Sequence, residues 1–203
     1  QALHDSHLNG ADVVEADELV HLAKRNPNNC RILERLPDLA IDDAWLVSGA
    51  VFQTVWNCLT ERSPEYGIKD YDIFYHDSSD LSWEAEDRVI KRVTEALSDL
   101  CVNVEVRNQA RVHLWYEERF GTPYPPLNSA REGMDRFLAP VCMVGLRPDR
   151  SGHLEVYAPQ GLDDLASLTI RPNGTENFSA ERYEEKAKRW QATWPELTVL
   201  PAR

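Results

Sequence analysis

Residues 44–76 read AWLVSGAVFQTVWNCLTERSPEYGIKDYDIFYH, and the fold class turns on them. Ala44-Trp45-Leu46-Val47 is a short apolar run of strand character, and Ser48-Gly49 is a tight turn. From Ala50 to Leu59, Val51, Phe52, Val55 and Leu59 recur at helical spacing. A loop with Pro64 and Gly67 follows, and Asp70 to His76 alternates as a strand. Side chains two apart on a strand share a face. Asp70 and Asp72 therefore project together, while Tyr71, Ile73 and Tyr75 point the other way.

Working outward, Ser82 to Leu100 is a long amphipathic helix, with Val89, Ile90, Val93, Leu97 and Leu100 on one face. Cys101 to Arg107 alternates again. Val102, Val104 and Val106 form its apolar side, and Asn103, Glu105 and Arg107 its polar side. Asn108 is placed to cap a helix from Gln109 to Phe120, which Gly121 and Pro123, Pro125 and Pro126 end. Upstream, a helix over 16–24 is closed by Asn26-Pro27-Asn28-Asn29, and a second spans 31–36. Downstream, helices are predicted over 130–138, 163–166 and 180–190, and strands over 141–146, 153–157 and 167–171. This alternation indicates an α/β or α+β domain; the expected class is α+β with an α/β-type core, a mixed sheet flanked by helices. It divides into a loose or helical segment over 1–40, a core over 41–120, and an extension over 121–203 that packs on the core. The proline cluster is a hinge or a chain reversal.

The acids suggest chemistry. Paired carboxylates on a rigid strand suit a hard divalent cation such as Mg²⁺ or Mn²⁺. If the two acidic strands pair, Glu105 joins Asp70 and Asp72 as a third carboxylate. Such a set can hold two metals and clamp a transferring phosphoryl group. A strand, a tight turn and a helix N-terminus at Ser48-Gly49 direct backbone N–H groups and a positive dipole end at an anion. The bland alternatives are a solvated strand end for the acids and an ordinary connection for the turn.

Composition sets limits on the partner. The 203 residues carry 22 Lys and Arg against 34 Asp and Glu, a formal net charge of −12. That balance disfavours a long RNA or DNA, which needs a basic field. No apolar run approaches the roughly 20 residues of a membrane span. The first ten residues have no basic start and no apolar stretch, so no secretory signal is expected there. Cys30, Cys58, Cys101 and Cys142 form no paired spacing, and they read as buried thiols of a reducing, cytoplasmic compartment.

The order of turn, helix, paired acids, helix and third acid resembles the nucleotidyltransferase superfamily with a DNA polymerase β-like core. The turn here, Val47-Ser48-Gly49-Ala50, inverts the usual Gly-Ser. More specifically, the chain is similar to a family of nucleotidyltransferase-like proteins through Ser48-Gly49-Ala50-Val51, Val55-Trp56-Asn57 and the Asp70-x-Asp72 strand. The similarity continues through the run from Glu105 to Tyr116, Gly161-Leu162-Asp163-Asp164-Leu165 and Arg171-Pro172-Asn173.

The resemblance implies a Mg²⁺-dependent transfer of a nucleoside monophosphate from a nucleoside triphosphate such as ATP to a hydroxyl, with release of pyrophosphate. Asp70 and Asp72 would hold metal. Glu105 would complete a second metal site or act as base. Ser48 and the backbone near Gly49 would hold phosphates. The acceptor would be a small molecule or a protein.

Lys69, Arg107 and Arg111 are further candidate phosphate contacts, although Arg107 could instead pair with Glu105. Gln109 and His113, four apart on the expected helix, either line the nucleotide pocket or form a structural pair. Trp56, Asn57, Val112, Trp115, Tyr116 and Phe120 read as packing residues. His76-Asp77 reads as a turn, and His4 and His7 offer at most an adventitious metal contact. Glu181, Glu184 and Glu185 with Arg182, Lys186, Lys188 and Arg189 read as a solvated helix face. Readings from other classes are a catalytically silent nucleotide-binding module, an acidic protein-interaction domain and a metallohydrolase.

Overall fold

The computed structural model describes residues 15–202. His4 and His7 lie outside this range. Helix α1, Ala16–Ala23, buries Leu19, Leu22 and Ala23. Helix α2 spans Pro27–Arg35, not the expected 31–36. Asn26, read as part of a helix stop, is in fact the cap of α2. Its side chain accepts the Asn28 N–H at 3.0 Å, and Pro27 fills the first turn, where a missing N–H costs nothing. The Asn26 amide also donates to Thr54 and to the Tyr71 hydroxyl, while Asn29 donates to the Ala23 and Ala50 carbonyls.

The central sheet has the order β3-β2-β1-β4-β5. Its strands are β1, Trp45–Val47; β2, Asp70–Tyr75; β3, Asn103–Asn108; β4, Gly145–Pro148; and β5, Leu154–Tyr157. β2 and β3 run parallel, joined by the crossover helix α4, Trp83–Ala96; the other pairs are antiparallel. Two strands beyond residue 121 thus join the same sheet as the acidic strands.

Strand alternation divides the sheet into two faces. Leu46, Tyr71, Ile73, Tyr75 and Val106 enter the main core, with α3, Gly49–Leu59, and α4 above them. Trp45 and Val47 point to the other face, where Ala130, Met134, Phe74 and Phe137 gather in a smaller cluster. Asp70, Asp72 and Glu105 belong to that second face, beyond the edge of this cluster.

Several expected elements are shorter. The helix over 109–120 is instead a turn, a 3₁₀ segment over Val112–Leu114 and the short α5, Tyr116–Phe120. Asn108 does not cap a long helix. Its side-chain oxygen takes the N–H groups of Asp77 and Ala110, and its amide donates to Asp77 O. Gln109 N–H continues the sheet to Tyr75 O at 2.7 Å, which holds the chain out of helical geometry. The helix over 130–138 stops at Met134 as α6, Ala130–Met134. Beyond it the Arg136 and Phe137 N–H groups bond the carbonyls three residues back, at Gly133 and Met134, and the Asn173 amide holds the carbonyls of Asp135 and Phe137.

The strand over 141–146 begins only at Gly145, after a 3₁₀ turn over Pro140–Cys142. A small parallel pair, β6, Thr169–Ile170, and β7, Thr198–Val199, brackets α8, Ala180–Thr193; α7 is Asp163–Ala166. Only Cys142 is buried; Cys30 and Cys58 are half-buried and Cys101 is exposed, so the expectation of four buried thiols holds for one. Among the described residues no helix is long and apolar enough to cross a membrane.

Candidate active site

The site begins where β1 meets α3. Ser48 adopts φ 57°, ψ −122°, the backbone of the first central residue of a type II′ turn, a place that glycine fills most easily. The inverted order therefore puts the strained conformation on serine. Gly49 is an ordinary first residue of α3, and its missing side chain leaves the helix N-terminus open. Ser48 N–H donates to Val144 O at 2.8 Å, and Ser48 O accepts from Val51 and Phe52. Its hydroxyl makes no capping bond. A non-glycine residue held in such a region costs about 1–3 kcal/mol. Ser48→Gly is accordingly expected to stabilise the protein by about 1 kcal/mol, raising the midpoint of thermal unfolding by about 2–4 °C. A differential scanning calorimetry trace with no increase would show that the Ser48 side chain offsets its strain.

The sheet register gathers the acids. Asp72 stands opposite Val47 on one side and opposite Glu105 on the other, and Asp70 stands opposite Asn103. The Asn103 amide donates to Asp70 at 2.7 Å and orients it. The parallel register thus makes Glu105 the direct neighbour of Asp72, which sequence could propose only conditionally. Burial first, then the charges of Glu105 and Asp70, push the Asp72 carboxyl up to about 7; Lys186 and Arg107 pull it back. Among the described residues no group of three or more His, Cys, Asp or Glu side chains is placed to hold a metal ion, so the three acids do not form a ready-made three-ligand site. The three acids form an open edge of hard oxygen donors, crowded with negative charge.

That crowding has a consequence for stability. In the unfolded chain Asp72 titrates near 3.8, and in the native protein near 7. Above pH 7 the native state holds the charge at a cost, and below about 4 both states are protonated and the cost vanishes. Asp72→Asn removes it. The metal-free variant is expected to melt about 4 °C or more above the parent at pH 8, with the difference closing below pH 4. Thermal melts across this pH range check it; a constant difference would place its cause elsewhere.

A cleft of about 330 Å³ opens in front of the acids. Ser48, Gly49, Lys69, Asp70, Asp72 and Glu105 all line it, so the structure brings six of the expected site residues to one place. The opposite wall comes from α8. Lys186, Arg189, Trp190, Thr193 and Trp194 face the cleft, which corrects the reading of this helix as merely solvated. Tyr183 and Ala187 are buried and Trp190 and Trp194 continue their stripe at spacings of three and four, so the signal was present. Lys186 and Arg189 sit on the flank of that stripe.

Four other expected residues lie elsewhere. Arg111 is buried; its guanidinium pairs with Glu86 at 2.6 Å and donates to Leu81 O. Gln109 is buried against Gly133, where an added Cβ would fall 2.2 Å from its amide oxygen. His113 is half-buried with Nδ1 unpartnered. Neither Gln109 nor His113 lines the cleft. Arg107 shares the Glu105 side of β3 but forms no ion pair with it, and it too stands outside the cleft lining. Trp56 and Asn57 are packing residues, as expected, and His76-Asp77 is a turn whose Asp77 accepts from Ser79.

The architecture has a counterpart among solved structures. A protein whose NMR structure is described as revealing a CCA-adding enzyme head domain superposes with a TM-score of 0.77 at 26% identity, over 96% of this chain and 100% of that one. No curated protein sequence matches the chain. A family model described as "Nucleotidyltransferase" matches residues 34–199, which include the turn, all three acids and α8. With the family's model spanning most of its length, the chain belongs to this nucleotidyltransferase family.

Proposed function

We propose that the protein transfers a nucleoside monophosphate from a nucleoside triphosphate to a hydroxyl of a small molecule or a protein. The observation that carries this reading is the adjacency of Asp70, Asp72 and Glu105 at the lip of a cleft that also receives the N-terminus of α3. The donor chemistry fits Mg²⁺, or Mn²⁺, because carboxylates are hard oxygen ligands and these crowd one another at the lip of the cleft. Asp70 and Asp72 would hold the metal. When bound, it supplies positive charge to the phosphates.

The chain's own groups do the rest. The N–H groups around Gly49 and the Lys69 ammonium bind donor phosphates and fix the α-phosphorus in front of the acids. The acceptor oxygen forms a bond to that phosphorus, and the bond to the bridging oxygen of the β-phosphate breaks. Pyrophosphate leaves with the electron pair, and the hydroxyl proton passes to the Glu105 carboxylate. The formal charge of −12 favours a compact acceptor over a long nucleic acid.

Calorimetric titration of the protein with ATP, GTP, CTP and UTP, with and without Mg²⁺, tests the reading. Mg²⁺-dependent binding of at least one is expected. A folded protein that binds none overturns it and leaves an acidic interaction domain in its place.

A further inference from the structure

The sequence reading left the basic residues of α8 without a task, and the structure turns two of them toward the cleft. Helix α8 is held there by aromatic packing. The Trp190 ring meets Phe52 edge-on at 5.4 Å and Trp56 at 6.0 Å, and Trp194 meets Trp56 at 5.3 Å. The buried Trp194 indole donates to the Asn57 side chain at 2.7 Å. Asn57 in turn donates to the carbonyls of Pro64 and Tyr66, so one amide ties α3, α8 and the loop before β2 together.

Gly67 in that loop has φ +69°, and an added Cβ would strike Thr193 at 2.8 Å and Trp194 at 3.0 Å. The close approach of loop and helix thus depends on glycine. Such a wall is rigid, and charges mounted on it keep their aim.

Lys186 and Arg189 line the cleft with Ser48, Gly49 and the three acids. Among the described residues neither forms an ion pair, although Glu185 lies four residues before Arg189 on the same helix. In a chain with twelve more acids than bases, two such cations facing one cleft are a selective placement.

We infer that Lys186 and Arg189 form a polyphosphate clamp, supplied from outside the strand core, that takes the β- and γ-phosphates of the donor and then the departing pyrophosphate. This rests on the nucleotidyltransferase reading proposed above. The acids hold the α-phosphate end of the cleft, and α8 holds the rest. The clamp distinguishes triphosphates from monophosphates by charge and reach, and it does not read the base.

The test uses Lys186→Met/Arg189→Met, which keeps the aliphatic stems, beside Lys186→Arg. Each is titrated calorimetrically in Mg²⁺ with ATP, GTP, CTP, UTP, their monophosphates and inorganic tripolyphosphate. Near-ultraviolet circular dichroism of the tryptophan cluster checks that α8 stays docked. Two charge-assisted contacts are lost, so the double variant is expected to bind triphosphate and tripolyphosphate about 30-fold or more weakly. Monophosphate affinity should change less than about twofold, and Lys186→Arg should keep most of the parent's affinity.

Triphosphate binding by the parent that the double variant retains overturns the clamp and leaves the proposed transfer standing. Equal losses for mono- and triphosphates also overturn it, since they mark a structural role or simple compensation of Asp72. Absence of any nucleotide binding by the parent overturns both.

Discussion

The Asp70→Asn/Asp72→Asn variant is expected to abolish the effect of Mg²⁺ on nucleotide binding. In the parent protein three carboxylates face the same cleft as the donor phosphates, and their mutual crowding already lifts Asp72 to about 7. Without a cation they repel a triphosphate. Two unit charges about 5 Å apart interact by about 3 kcal/mol at an effective dielectric of about 20. The parent should therefore bind nucleoside triphosphate poorly in a chelator and at least about 100-fold better with Mg²⁺.

The double variant loses both the cation's ligands and the repulsion. It should gain almost nothing from Mg²⁺, and in a chelator it should bind as well as the parent or better. Calorimetry on both proteins with and without EDTA reads the four affinities. A variant that retains a Mg²⁺ enhancement above about tenfold would show that the metal does not depend on Asp70 and Asp72. A variant that binds worse than the parent in EDTA would show that these acids accept hydrogen bonds from the nucleotide. Phosphoryl transfer should fall by about 10³-fold or more, because removing a single electrostatic partner of a transition state already costs about 10²–10³.

The legible parts of this fold share a cause. β2 and β3 carry alternating patterns that survive folding unchanged, so their faces could be assigned residue by residue. Their pairing could be expected from one crossover helix between them, because a strand, helix and strand in one sheet form a parallel unit. What sequence could not reveal was register, and register is what makes Glu105 the neighbour of Asp72. The failures have a common cause as well. Asn108 has the chemistry of a helix cap, yet its side chain is used by Asp77, 31 residues earlier. Ala130 to Leu138 has a helical pattern, yet past Met134 the chain tightens to three-residue bonds and Asn173 holds the carbonyls of Asp135 and Phe137. In each case partners remote in sequence, Tyr75 and Asp77 for the first and Asn173 for the second, take backbone or capping groups near the expected helix.

Helix α8 shows the limit in another form. Its charges have the composition of a solvated face, and Glu181, Glu184, Glu185, Lys188 and Arg189 are exposed. Only the docking of Trp190 and Trp194 on Phe52 and Trp56 decides which charges see solvent and which see the acids. Those contacts join residues more than 130 positions apart, and no local periodicity encodes the partner.

Arg111 separates structural from functional basic residues most sharply. It lies six residues after Glu105 in the run most specific to the resembled family, and its sequence invites a phosphate role. The structure instead buries it with Glu86, which is 3% exposed, at 2.6 Å. The second oxygen of Glu86 accepts the Asn108 N–H at 2.8 Å, and the Arg111 Nε–H donates to Leu81 O at 2.8 Å. The Trp83 ring lies over the guanidinium at 5.8 Å.

This pair ties the start of α4 to the turn that follows β3, across the parallel unit that carries the acids. Arg111→Met leaves a carboxylate buried without its counter-charge, a loss of about 3–5 kcal/mol. The melting midpoint is expected to fall by about 10 °C. Glu86→Gln/Arg111→Met removes both charges and should recover part of that loss, because no lone charge is left behind.

At temperatures where Arg111→Met remains folded, its affinity for Mg²⁺-nucleoside triphosphate should match the parent's within about twofold. Thermal melts and calorimetry on the same preparations decide the matter. An unchanged midpoint with about tenfold weaker nucleotide binding would return Arg111 to the phosphates. A large loss of midpoint with binding intact makes it a structural tie across the parallel unit that carries the acids.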